Sequence, residues 1–183
     1  MTDWMISYMY LEKQDIDYSL LRQGDILEGI QILGAINLGA ITIGTNIKGE
    51  KISWSYTAKP VFSHAIVLSH SCEIDKSNKV KLTSIILSPI RDLNNASPEE
   101  KIEELKRSNY IDENTDYSYL KYFYLEPHEL LPFKGGAVAD LAKCFSVRKN
   151  SYDILLSHKI LQMSPEAVRY LSFKTALYFH RDK

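Results

Sequence analysis

Only two cysteines occur in 183 residues, Cys72 and Cys144, far apart and outside any paired spacing. That excludes a disulfide framework and points to a reducing, cytoplasmic setting. No apolar run approaches the ~20 residues needed to span a bilayer. Residues 1–6 carry Asp3 and no basic residue, so a secretory leader is not expected there. Charge of one sign is also missing. Twenty-two basic residues balance 23 acidic ones, giving a net charge of −1, and a globally basic nucleic-acid binder is thereby excluded. A local basic patch is not. There is no glycine-rich phosphate loop, because the glycines from Gly34 to Gly44 lack a Lys-Ser/Thr terminus and a following helix. Neither a Cys-x-x-Cys nor a His-x-x-x-His pair occurs, so no metal and no cofactor is expected.

What is present suits a globule. Hydrophobic residues make up 45% of the chain and charged residues 25%, enough for a core in a single domain spanning residues 1–183. Twelve tyrosines against six phenylalanines fit half-buried strand positions, and also suit an interface with a protein partner.

The pattern divides into an N-terminal arm over 1–22, a barrel with a helical insertion over 23–160, and a C-terminal helix over 161–183. Ile26 to Leu33, Ala40 to Ile47 and Lys51 to Tyr56 read as short strands, with a hairpin tip at 46–49. A strand ending at Cys72 follows, then a turn at 75–78 and a strand from Val80 to Ile90 closed by Pro89. Ser97 and Pro98 open an inserted helix over about 97–109. Tyr117 to Leu125 and Ala142 to Arg148 read as strands around a Pro- and Gly-rich loop, and Tyr152 to Leu156 as an edge strand. Ser164 and Pro165 start the last helix, about 164–181, with Arg169, Lys174 and Arg181 on its polar side. Short strands, glycine turns and two firm helices predict a mainly β fold with α additions: a small SH3-like β-barrel or bent antiparallel sheet.

Chemistry-bearing side chains concentrate in one place. Along the strand from Phe62, alternation puts His64, Ile66, Leu68, His70 and Cys72 on one face. His70 and Cys72 then stand at its end, with α-carbons about 6.5–7 Å apart. An imidazole beside a thiol is the arrangement of a cysteine nucleophile and its base. The bland alternative is a small buried cysteine. Asp25, Glu28, Glu73 and Asp75 read as turn-capping or solvent-facing acids rather than a divalent-metal cluster.

Gly24-Asp25-Ile26, then Ala65-Ile66-Val67-Leu68-Ser69, then Thr83 to Ile90 ending in Pro89-Ile90, resembles the MazF/PemK-type toxins over roughly residues 23–91. The resemblance implies an SH3-like barrel that cuts single-stranded RNA, acts as a homodimer, and works in a toxin–antitoxin or phage-defence setting. Where that family carries a basic residue before the aliphatic strand, this chain has Ser63-His64. After Pro-Ile it has Arg91 instead of a hydroxyl. Under the resemblance, His64 or His70 would serve as base and Arg91 as the phosphate-stabilising cation. Three readings follow: an RNA-cleaving barrel, a non-catalytic module binding a protein partner through its tyrosine-rich strands or C-terminal helix, and a hydrolase using Cys72 and His70.

Overall fold

A computed structural model describes residues 8–33, 60–74, 84–93, 99–111 and 116–180. Among these residues seven strands form one antiparallel sheet: β1 (Asp25–Leu33), β2 (Pro60–Val67), β3 (Ser84–Asp92), β4 (Tyr122–Leu125), β5 (Ala137–Asp140), β6 (Phe145–Arg148) and β7 (Lys159–Gln162). Four α-helices accompany them among the described residues: α1 (Ser71–Ile74), α2 (Glu99–Arg107), α3 (Tyr152–Ser157) and α4 (Pro165–His180). The sheet runs β4-β5-β3-β2-β1-β7, and β6 joins the first half of β3 while β5 joins its second half. Dividing one strand between two neighbours curls the sheet into a half-barrel. The expected fold class, mainly β with helical additions, is the observed one.

Both faces of the sheet are covered. Along β2, Ile66 packs into one cluster with Ile26, Ile90, Phe123, Leu161 and Leu171. Its neighbours Ala65 and Val67 enter a second cluster with Leu27, Ile30, Ile74, Ile85 and Leu155. Period-2 alternation therefore serves two cores, where the sequence reading assigned one. In β1 both Leu27 and Ile30 reach the second core, which strict alternation forbids over three positions. The register shifts between them, and Gly29 at φ 64° supplies the left-handed residue of the bulge.

Several boundaries differ from expectation. The strand before Cys72 stops at Val67, and residues 71–74 form a helical turn instead. Pro89 does not close β3; the strand continues to Asp92. Pro89 sits in the gap where pairing with β6 has ended at Leu87 and pairing with β5 begins at Ile90, so its missing N–H disrupts no ladder on that side. The expected edge strand at 152–156 is the helix α3, because Tyr152 and Leu155, three apart, are the residues it buries. β5 and β7 fall where the sequence reading had a loop and nothing. The strands expected at 40–47 and 51–56, the hairpin tip at 46–49, the turn at 75–78 and the cap at 97–98 lie outside the described residues.

The C-terminal helix is where it was expected. Ser164 Oγ accepts from Ala167 N at 3.2 Å, and Pro165 opens the first turn. Ala167 and Leu171 seal the first core. Lys174 is a correction: placed on the polar side by sequence, it is fully buried. Its ammonium donates to Ser108 O at 2.6 Å and Ser108 Oγ at 2.8 Å, tying α4 to the turn after α2.

Candidate active site

The chain leaves β2 under tight control. Leu68 N donates to Ile86 O at 2.9 Å, and Ser69 Oγ accepts from Ile86 N at 2.8 Å. Residues 68–69 are thereby fastened to β3 by both backbone polar groups of Ile86. The next residue, His70, caps α1: its carbonyl accepts from Glu73 N at 2.9 Å and Ile74 N at 3.2 Å. Ile74, fully buried in the second core, anchors the turn from beneath.

This geometry brings imidazole and thiol together. His70 Nδ1 lies 3.0 Å from Cys72 Sγ and 3.4 Å from Cys72 N, and both side chains are exposed. Cys72 holds the second helical position, whose N–H is the one a capping side chain ordinarily receives. The imidazole occupies that capping role with a ring nitrogen. With Cys72 N donating to Nδ1, a neutral ring carries its proton on Nε2 and leaves Nδ1 as the acceptor facing the thiol. An extended strand would have separated the two residues; the helical turn is what closes the gap. Lys149 Nζ donates to Glu73 O at 3.4 Å, satisfying a carbonyl at the far end of the turn.

The other two candidates lie elsewhere. His64 sits on β2 opposite Ile90, half-buried, with its ring edge-on to Phe133 at 5.1 Å. Burial lowers its pKa, opposed by the Glu28 carboxylate. Arg91 sits on β3 opposite Val138 and pairs with Asp140 Oδ2 at 2.6 Å. Its guanidinium also lies over the Tyr122 ring at 5.6 Å, and Lys121 over the same ring at 5.1 Å. Ile86, which holds the chain before His70, is five positions from Arg91, roughly 16 Å along a strand. His64 shares the face of Ile66, whereas Arg91 follows Val138 onto the opposite face. Of the four candidates, the structure brings His70 and Cys72 together and separates them from Arg91.

Cys144 is a different kind of cysteine. Its thiol donates to Leu141 O at 3.1 Å, and burial pushes its pKa up to about 11. Among the described residues no group of three or more His, Cys, Asp or Glu is placed to hold a metal ion. Asp25, read from sequence as a turn or solvent-facing acid, is fully buried and paired with Lys159. A cleft of about 270 Å³ lies apart from His70 and Cys72, lined among others by Tyr10, Lys13, Glu126 and His128.

Sequence reasoning missed Gln23, whose amide and backbone brace the turn that carries His70. Nothing in the local pattern around Gln23 marks it, since its partners are 45 and 149 residues away. No protein-family model and no curated protein matches the chain. No helix among the described residues is long and apolar enough to cross a membrane.

Proposed function

We propose that this chain is a cysteine-dependent hydrolase with Cys72 as nucleophile and His70 as general base. The observation that carries the reading is the 3.0 Å approach of Sγ to Nδ1 between two exposed side chains. Sγ attacks the carbonyl carbon of an activated acyl group while Nδ1 takes the thiol proton. The carbonyl electron pair moves to oxygen, then returns and expels the leaving group, which takes the proton back from Nδ1. Water attacks the resulting thioester, gives its proton to Nδ1, and releases the acid with the thiol restored.

Incubation with p-nitrophenyl acetate tests this. A burst of about one nitrophenolate per chain, lost in Cys72→Ala and kept in Cys144→Ser, is expected. Absence of the burst, or its survival in Cys72→Ala, contradicts the reading.

A second reading has its own support. Arg91 and Lys121 flank one tyrosine ring, a combination that suits the backbone and bases of single-stranded RNA. The toxin-like reading, which rests on the sequence resemblance and carries with it a cytoplasmic location, a homodimer and a toxin–antitoxin or phage-defence role, would use this surface. Cleavage there would have to proceed without His70, given the separation along β3. RNA left intact by wild type, with binding unchanged in Arg91→Ala, removes it. Should both activities be absent while one protein co-purifies, the interaction module is the reading that stays.

A further inference from the structure

We infer that Gln23 is a positioning residue for the Cys72–His70 pair, an inference that rests on the hydrolase reading above. Gln23 is buried, and it holds the chain on both sides of His70. Its Nε2 donates to Leu68 O at 2.9 Å, and its backbone N donates to Ser71 Oγ at 3.1 Å. Its Oε1 lies 3.1 Å from Ser172 Oγ on α4. The primary amide offers a donor and an acceptor on separate atoms of one side chain; a carboxylate would set an acceptor against the Leu68 carbonyl.

The support behind Gln23 is rigid. Gly24 N donates to Val67 O at 2.9 Å. Gly24 holds φ 84°, and a Cβ there would meet Val168 Cγ2 at 2.6 Å, so the backbone runs hard against α4. One residue further, Asp25 Oδ2 accepts from Arg22 N at 2.6 Å and pairs with Lys159 Nζ at 2.8 Å. Lys159 Nζ also donates to Asp17 O at 2.8 Å and Leu20 O at 3.1 Å. The segment from 17 to 25 is therefore pinned to β7 and α4, and Gln23 transmits that fixed position to the turn bearing the thiol and imidazole. His70 makes its contact through a cap that depends on where Ser71 sits. A displacement of Leu68 or Ser71 moves Nδ1 relative to Sγ.

The test is a double-mutant cycle on the alkylation rate of Cys72 by iodoacetamide at pH 7, read on the Cys72 peptide by mass spectrometry. Gln23→Met keeps the backbone donor and removes the amide. Where His70 is present, Gln23→Met is expected to slow alkylation roughly tenfold, as small misplacements of reacting groups do. In His70→Ala it should change the rate by less than about twofold, because no contact is left to misplace. Ser71→Ala should reproduce the loss and Ser71→Thr should keep the wild-type rate, independently of how well Gln23→Met folds. An equal slowing in both backgrounds, or none in either, overturns the positioning role while the hydrolase reading stands. A rate unchanged by His70→Ala alone overturns both.

Discussion

Lys159 Nζ and Asp25 Oδ2 meet at 2.8 Å with both side chains fully removed from solvent. The other carboxylate oxygen, Oδ1, is buried without a hydrogen-bond partner. Burial outweighs the attraction of Lys159 and pushes the Asp25 pKa up to about 6. Such a pair costs desolvation on both sides, so its members depend on each other more than the fold depends on the pair. Lys159→Met alone is expected to destabilise by ~3–5 kcal/mol, since it strands a carboxylate in the core. Adding Asp25→Leu should recover part of that loss. Urea unfolding midpoints of the two singles and the double decide it; additive losses would contradict the coupling.

Asn109 completes the β4 edge of the sheet, which no strand among the described residues covers. Its Nδ2 donates to Tyr124 O at 2.9 Å and its Oδ1 accepts from Tyr124 N at 2.9 Å, so one side chain pairs with β4 as a neighbouring strand would. Asn109→Ala leaves two backbone groups without partners and should cost ~2–4 kcal/mol. Asn109→Asp turns the donor to Tyr124 O into a second acceptor and should also destabilise, but by less than Asn109→Ala, because Lys174 Nζ, 3.5 Å from Oδ1, meets the new charge. Thermal melts of the two variants check this, and a loss below about 0.5 kcal/mol in Asn109→Ala would refute it.

Lys174 gives stability a pH dependence of known sign. Burial pushes its pKa down to about 7. In the unfolded chain an ordinary lysine titrates near ~10.4. Between about 7 and 10 the unfolded state therefore binds a proton that the folded state has released, and stability rises with pH across that window. The cost is complete below pH 7. Lys174→Met should flatten this slope and raise stability at pH 7 by on the order of 2–4 kcal/mol, less what Ser108 loses in hydrogen bonds. Melting temperatures from pH 6.5 to 10 for both proteins show whether the slope belongs to Lys174. An identical slope in Lys174→Met assigns it elsewhere.

Much of this was legible in the chain. Ser164-Pro165 and Ser97-Pro98 mark α4 and α2 in the sequence, because capping is a local property. The sequence marks His70 and Cys72 as a pair, but not the geometry that joins them. Their proximity was expected from strand alternation and arises from a capped helical turn. β5 was hidden because Ala137-Val138-Ala139-Asp140 follows two glycines and owes its strand to partners on β3 and β4. Tyr152 to Leu156 misled because β-prone residues there are read by a core that accepts one helical face. Lys174 and Lys159 were unreadable, since the neutral acceptors and the carboxylate that hold them are remote in sequence.

The acyl intermediate offers the most direct trial of the nucleophile itself. Wild type quenched in acid within the p-nitrophenyl acetate burst should carry one acetyl group, mapped by mass spectrometry to Cys72 and removed by neutral hydroxylamine. His70→Ala should accumulate that adduct at least about tenfold more slowly. An unmodified Cys72 in wild type, or acetylation at the same rate without His70, would contradict the account.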